Sequence, residues 1–135
     1  MSLSRKKYVV FLVDDDPVFL DMLNESLSGN SALIVYTYNS AEQCIRNLHL
    51  NPEIIVLDHD FSKAGPDAMT GLQAIGQITE VAESKIIILT GQEDGEMVFD
   101  FIRKGASDYI IKDEDLFENI EIALSEMIQD MEGER

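Results

Sequence analysis

Residues 8–17 read YVVFLVDDDP, a run of six apolar residues that ends in three carboxylates and a proline. The apolar run does not alternate with polar residues, which is typical of a strand that is buried on both faces. Pro17 suits the first position of a helix, and the side chain of Asp16 can cap the free amide groups at its start. This stretch therefore predicts a buried strand, a turn rich in carboxylates and the beginning of a helix.

The same alternation of strand and helix continues along the chain. Strands are predicted for five short apolar runs: Tyr8–Val13, Leu33–Tyr36, Ile54–Leu57, Ile86–Leu89 and Tyr109–Ile111. Helices are predicted from Pro17 onward, with Phe19, Leu20, Leu23 and Leu27 on one face, and at Ala41–Leu48, Leu72–Val81, Glu96–Lys104 and Leu116–Met131. Five strand and helix pairs require right-handed crossovers with helices on both faces of a parallel sheet. The expected fold is α/β, a flavodoxin-like doubly wound (βα)5 architecture with strand order 2-1-3-4-5.

Size and composition limit the number of domains, the classes of binding partner and the location that are expected. The 135 residues fit a single domain, residues 1–135, with a core from about residue 8 to residue 131 and a flexible acidic C-terminal tail. A net charge of −16 argues against direct binding to nucleic acid. Cys44 is the sole cysteine, so no internal disulfide can form. Because no apolar stretch approaches about 18 residues, we expect a cytoplasmic protein without a membrane contact.

Polar residues follow four of the five predicted strands. The first strand ends at Asp14 and Asp15, the third at Asp58, the fourth at Thr90 and the fifth at Lys112. In open parallel sheets these strand ends meet at one edge, where ligands bind. Converging carboxylates repel one another unless a cation neutralises them, and oxygen ligands favour a hard ion such as Mg²⁺. The pattern predicts a magnesium site.

A carboxylate beside Mg²⁺ also suits phosphoryl transfer, in which the carboxylate attacks phosphorus. Lys112 can then pair with one phosphoryl oxygen, and Thr90 can donate a hydrogen bond to another. Both contacts form only when the group is attached, so they predict a two-state switch.

Four stretches resemble the receiver domain of two-component response regulators: Val13–Pro17, Ile55–Asp58, Leu89–Gly91 and Lys104–Lys112. Their order and spacing are specific, and the resemblance extends from about Tyr8 to Met131.

The resemblance implies a role for each matching position. Asp58 is expected to be the phosphoacceptor. The metal ligands are expected to be Asp14, Asp15, Asp58 and the backbone carbonyl of Asp60, with Asp15 the direct ligand of the acidic pair. Thr90, Lys112 and Tyr109 are expected to be the switch hydroxyl, the phosphate partner and the switch aromatic.

The resemblance also implies partners. The phosphoryl donor is expected to be a sensor histidine kinase or a phosphotransfer protein. A downstream effector protein or an output domain would read the face formed by the fourth helix, the fifth strand and the fifth helix, which could also form a homodimer. The chain is expected to catalyse only its own Mg²⁺-dependent phosphorylation and dephosphorylation at Asp58, and so not to be an enzyme in the usual sense.

Three positions depart from the family pattern. Asp113 follows Lys112 where a proline, often with a cis bond, is common. Gly71 stands farther from Asp58 than usual, so the loop of residues 60–70 is expanded. Gly91 follows Thr90 where alanine is usual.

Other interpretations remain open. Asp58, His59 and Asp60 also look like the nucleophile and acid pair of haloacid-dehalogenase-type phosphatases, although that pair belongs on the first strand. A receiver-like docking module could use Glu96–Lys104 without phosphate chemistry. Flavin binding is disfavoured, because carboxylates occupy the place of a phosphate cradle. Asp16 is expected to be a helix cap and not a third metal ligand, and His59 is expected to point away from the side chain of Asp58.

Overall fold

The computed structural model describes residues 6–60, 65–91 and 95–133. The strands are β1 (Tyr8–Val13), β2 (Leu33–Tyr38), β3 (Ile54–Asp58), β4 (Lys85–Thr90) and β5 (Asp108–Ile111). The helices are α1 (Pro17–Leu27), α2 (Ala41–Arg46), α3 (Gly71–Val81), α4 (Gly95–Lys104) and α5 (Leu116–Gly133). A short 3₁₀ turn spans Leu48–Leu50. No helix in these ranges is long and apolar enough to cross a membrane.

The five strands form one sheet in the order β2-β1-β3-β4-β5, and every neighbouring pair is parallel. This confirms the predicted flavodoxin-like topology. The register aligns the strand ends, because Val13 lies opposite Leu57, and Asp58 lies opposite Leu89. The residues that follow these strands therefore emerge at the same edge of the sheet.

The core lies in two layers, one on each face of the sheet. Alternate residues of β1 enter different layers: Val10 and Leu12 pack with α1 and α5, whereas Phe11 and Val13 pack with α2, α3 and α4. All residues of β3 are buried, as the uninterrupted apolar pattern predicts for a central strand. The apolar stripe predicted for α1 is also present, since Leu20, Leu23 and Leu27 are buried.

The expectation that all five strands are covered on both faces is wrong for the two outer strands. Ile34 and Tyr36 on β2 are each 39% exposed, and Tyr109 on β5 is 41% exposed. The physical reason is that β2 and β5 form the edges of the sheet, so each has a neighbouring strand on one side only.

The second helix is shorter than predicted. It ends at Arg46, and the side chain of Asn47 donates a hydrogen bond of 2.7 Å to the backbone carbonyl of Gln43. Asparagine side chains compete in this way with the backbone bonds of a helix. The chain then continues in the 3₁₀ turn, and Asn51 adopts a left-handed conformation.

The last helix continues to Gly133, two residues beyond the predicted end. Residues 134–135 lie outside the described ranges, so the flexible acidic tail stays a prediction.

The start of α3 is fixed against His59, the residue that follows β3. Gly71 donates its N–H to the carbonyl of His59 at 3.2 Å, and a Cβ at Gly71 would lie 2.8 Å from the Cα of His59. Thr70 and Gln73 form a reciprocal capping box at the same helix end. Only glycine allows this close approach, so the sequence holds α3 directly behind Asp58.

Candidate functional site

Three carboxylates meet at the carboxyl edge of the sheet. Asp14, Asp15 and Asp58 each offer an oxygen atom, and these atoms all lie within 4.8 Å of one another. Asp14 and Asp58 are each only 3% exposed. The structure therefore brings together the three side chains that the sequence predicts as metal ligands.

The turn after β1 is held by the carboxylates themselves. Oδ1 of Asp14 accepts a hydrogen bond of 2.9 Å from the backbone N–H of Asp16. Oδ1 of Asp16 accepts from the N–H groups of Val18 and Phe19 at 3.0 and 3.3 Å, which caps α1. This confirms the prediction that Asp16 is a helix cap.

Lys112 places a positive charge at this edge. Its Nζ lies 2.6 Å from Oδ1 of Asp58 and 3.8 Å from Oδ2 of Asp14. The backbone N–H of Lys112 donates to the carbonyl of Thr90 at 2.8 Å, which places the lysine at the end of β5. The ammonium group of Lys112 thus contacts two of the three carboxylates.

The pKa values of Asp14 and Asp58 are raised chiefly by burial. Burial and, after it, the negative charge of Asp58 together raise the pKa of Asp14 to about 7, although the N–H of Asp16 and the ammonium of Lys112 oppose the shift. Burial also raises the pKa of Asp58, against the opposing effects of Lys112 and the backbone hydrogen bond from Asp60. Burial therefore makes the ionised form of both carboxylates less favourable than it is in water.

A divalent cation fits this arrangement. Oδ2 of Asp15 is buried and has no hydrogen-bond partner among the described residues, which is costly unless another ligand satisfies it. The donor set is carboxylate oxygen throughout, which suits a hard ion. Asp60, whose carbonyl is predicted to be a ligand, lines the same cleft. The residues present therefore match a Mg²⁺ site in donor type and in charge.

The carboxylates and Lys112 open into a cleft of about 460 Å³. Its walls include two apolar side chains, Phe19 and Leu116, from the first turns of α1 and α5. The sequence assigns both residues to core stripes and misses this role. The available signal is that both helices begin directly after loops that carry site residues.

Thr90 ends β4, which neighbours β3 in the sheet, and is fully buried. Its hydroxyl lies 4.0 Å from Sδ of Met97 on α4, a weak contact. Tyr109 lies on β5 with its side chain partly exposed. The two switch residues are thus on neighbouring strands, and their predicted roles stay predictions.

The loop after Lys112 is built without a proline. No peptide bond among the described residues is cis, so the bond between Lys112 and Asp113 is trans. Oδ1 of Asp113 accepts from the N–H of Asp115 at 2.9 Å, and the carbonyl of Asp113 accepts from Leu116 at 3.2 Å. Asp113 therefore organises the turn into α5.

His59 lies on the α4 side of the sheet. Its Nδ1 lies 3.3 Å from the carbonyl oxygen of Leu89, and its ring centroid lies 5.9 Å from that of Phe101. His59 is not among the residues that line the cleft. This confirms the expectation that it does not share the side of Asp58.

Residues 61–64 of the expanded loop lie outside the described ranges, as do residues 92–94 after Gly91. The expected effects of the longer loop and of Gly91 therefore stay predictions.

Known proteins share this arrangement of elements. Residues 10–123 match the family described as the response regulator receiver domain. The matched segment contains Asp14, Asp15, Asp58 and Lys112, together with all five strands except the first two residues of β1.

Response regulators of known sequence or structure resemble this chain at moderate sequence identity. The nitrate/nitrite response regulator protein homolog of Haemophilus influenzae is 28% identical over 97% of this chain and 66% of its own length. The chemotaxis protein CheY of Listeria monocytogenes is 28% identical over 75% of this chain and 83% of its own length. The response regulator DrrB of Thermotoga maritima has a solved structure that superposes with a TM-score of 0.79 at 25% identity, covering 93% of this chain and 54% of that one. The chain thus spans about two thirds of the first relative and about half of DrrB.

Proposed function

The chain belongs to the response regulator receiver domain family, and on that basis we propose that Asp58 is the residue that accepts a phosphoryl group in this protein. Receiver domains act in two-component signalling and bind Mg²⁺ at an acidic cluster. The observation that carries the proposal is the contact of 2.6 Å between Nζ of Lys112 and Oδ1 of Asp58, beside the carboxylates of Asp14 and Asp15.

The surroundings of the three carboxylates support different roles. Asp14 uses one oxygen to hold the turn after β1. Asp15 is partly exposed, and its Oδ2 has no hydrogen-bond partner among the described residues, which suits direct contact with a cation. Asp58 ends a central strand, lines the cleft and contacts Lys112. Asp58 is therefore best placed to bond to phosphorus, with Asp14, Asp15 and the Asp60 carbonyl as the other metal ligands.

The reaction is a transfer from a phosphohistidine. An oxygen of the Asp58 carboxylate attacks phosphorus, an O–P bond forms, the P–N bond breaks, and its electron pair returns to the imidazole, which takes up a proton from water. Bound Mg²⁺ supplies charge neutralisation for the phosphoryl oxygens. The ammonium group of Lys112 leaves the carboxylate of Asp58 and pairs with a phosphoryl oxygen. Water later hydrolyses the acyl phosphate, which releases inorganic phosphate and restores the carboxylate.

The switch is proposed to pass through Thr90. A hydrogen bond from its hydroxyl to a phosphoryl oxygen would replace the weak contact with Met97 and so change the packing of α4. Tyr109 would then move inward from its exposed position on β5. The surface formed by α4, β5 and α5 would carry the signal, since it already exposes Phe99 and Ile102.

Receiver domains interact with histidine kinases and effector domains. For this chain we propose a sensor histidine kinase or a phosphotransfer protein as donor, and an effector protein or an output domain as reader. A homodimer through the α4, β5 and α5 surface belongs to the same proposal. The cytoplasmic location and the division into one domain, residues 1–135, stay predictions.

Mass spectrometry after incubation with a small acyl phosphate and Mg²⁺ tests the acceptor. We expect the wild-type chain to gain one phosphoryl group and Asp58→Asn to gain none. Asp130→Asn, which changes an exposed carboxylate on α5, is the matched control and should be labelled like the wild type. An unchanged wild-type mass would favour the docking module, and repeated turnover of a phosphomonoester would favour the phosphatase interpretation.

A further inference from the structure

An aromatic side chain faces the ammonium group of Lys112 across the cleft. Nζ of Lys112 lies 5.7 Å from the ring centroid of Phe19, and both residues line the cleft that contains Asp58. We infer that Phe19 is a positioning residue, which holds the ammonium of Lys112 against Asp58 through a cation–π contact. The inference rests on the proposed function, because it assigns Phe19 to the phosphorylation of Asp58.

The ring of Phe19 is itself held from two directions. Its backbone N–H is bound by the side chain of Asp16, which fixes the first turn of α1. Its ring lies 5.8 Å from the ring of Phe117 on α5, with the two planes tilted by 52°. Phe19 also packs against the buried cluster between these helices and the sheet. Because the Phe19 ring is held in one position, it can restrict the rotamers of the flexible Lys112 side chain.

Lys112 is a neighbour that needs such support. Its side chain is 31% exposed, so water competes with the carboxylates for its ammonium group. The flexible four-carbon stem has many rotamers, and the compact charge has no directional preference of its own. Asp14 and Asp113 offer further negative charge around it. Cations favour the face of an aromatic ring, so Phe19 adds a preference for the rotamer that enters the cleft.

We expect the contact between Phe19 and Lys112 to affect the rate at which Asp58 is phosphorylated. During transfer, Lys112 must pair with a phosphoryl oxygen at the moment when the O–P bond forms, and a lysine that spends less time in the cleft slows this step. Phe19→Leu retains an apolar side chain but removes the ring face. We expect it to slow phosphorylation by a small acyl phosphate about three- to fivefold, the effect of a partly exposed cation–π contact. Phe19→Tyr retains the ring face and should restore the wild-type rate.

The experiment measures the phosphorylation rates of the wild type, Phe19→Leu and Phe19→Tyr by mass spectrometry. Tyr36→Leu is the matched control, because it removes a half-exposed ring on β2 that does not line the cleft. It should react at the wild-type rate. A wild-type rate in Phe19→Leu, or an equal loss in Phe19→Tyr, would overturn the inference.

Urea unfolding can distinguish the energy of the contact between Phe19 and Lys112 from the effect of lost packing, and the measurement does not require phosphorylation. The wild type, Phe19→Leu, Lys112→Met and the double variant form a double-mutant cycle. We expect the two side chains to be coupled by a factor of about two to five in the unfolding equilibrium constant. Independent effects would overturn the inference. A wild type that gains no phosphoryl group at all would refute the proposed function, whereas normal labelling with no coupling would refute only the role of Phe19.

Discussion

Lys112 and Asp58 form an ion pair of 2.6 Å at the base of a cleft that also contains the carboxylates of Asp14 and Asp15. The lysine ends β5 and the aspartate ends β3, with β4 between them in the sheet. Among the described residues, Lys112 is the cation in contact with these carboxylates, and its single charge cannot neutralise all three, two of which are almost fully buried. The ionised, metal-free form of these described residues is therefore electrostatically unfavourable.

Asp14→Asn should stabilise the metal-free protein in alkaline solution. The pKa of Asp14 is about 7 in the folded protein and 3.8 in the absence of these surroundings. At a pH between these two pKa values, Asp14 is protonated in the folded protein but ionised in the unfolded chain. The stability contributed by Asp14 therefore falls as pH rises. We expect a gain of about 1–3 kcal/mol at about pH 8 and little change at about pH 4, measured by urea unfolding. The asparagine can still accept the hydrogen bond from Asp16.

Asp130→Asn is the control for this pH dependence, because the carboxylate of Asp130 is exposed. Its substitution should give no comparable gain in the free energy of unfolding. Easier unfolding of Asp14→Asn than of the wild type at about pH 8 without metal would show that burial does not raise the pKa of Asp14.

Asp15→Asn should weaken binding of Mg²⁺. The substitution removes one negative charge and replaces an unsatisfied carboxylate oxygen by a neutral amide. We expect an affinity lower by roughly tenfold or more, since a unit charge a few ångströms from a cation contributes over ~1 kcal/mol even in a wet site. Isothermal titration calorimetry with Mg²⁺ measures the change.

Asp16→Asn provides the comparison for Asp15. Asparagine caps helices as well as aspartate does, so α1 should persist. Because Asp16 is assigned to the cap, its substitution should lower the affinity for Mg²⁺ much less than Asp15→Asn. Equal losses in the two variants would show that Asp15 is not the direct ligand.

Gly71→Ala should destabilise the protein and disturb the acceptor strand. The new Cβ would lie 2.8 Å from the Cα of His59, so the start of α3 must move away from the residue after Asp58. We expect a loss of about 1–3 kcal/mol in the free energy of unfolding, as for other overpacked sites. Slower phosphorylation should accompany it, because His59 is bonded directly to Asp58 in the chain.

Gly29→Ala serves as the matched control for Gly71→Ala, because no atom of the described residues lies within 4 Å of a Cβ at Gly29. It should be neutral or stabilise by less than about 1 kcal/mol. Unfolding curves that rank the two variants in the opposite order would contradict the close approach of α3 to His59.

Phosphorylation should change hydrogen exchange in residues 95–111. Thr90 is buried and contacts Met97 on α4, so a new bond from its hydroxyl must alter that packing. Mass spectrometry of amide exchange should show altered protection in α4 and β5, with β2 unchanged as an internal control. Thr90→Ala should be phosphorylated but should show a smaller change in these elements. A response confined to the loops around Asp58 would count against the coupling.

The sequence identifies the central strands well because burial alone defines them. β1, β3 and β4 are covered on both faces, so their apolar runs are uninterrupted and their ends are clear to within one residue. The exposure of Ile34 and Tyr36 could not be predicted in the same way, because β2 resembles a central strand in sequence and differs only in its position at the edge.

By itself, the sequence determined the alternation of strands and helices and the chemical character of each strand end. Since parallel strands expose their carboxyl ends at one edge, it also determined that Asp14, Asp15, Asp58 and Lys112 would gather there. Only the tertiary structure decided the contacts between elements distant in the chain, such as Phe19 with Lys112 and Gly71 with His59. The physical reason is that local patterns fix what each residue can do, whereas the packing of helices on the sheet fixes which residues meet.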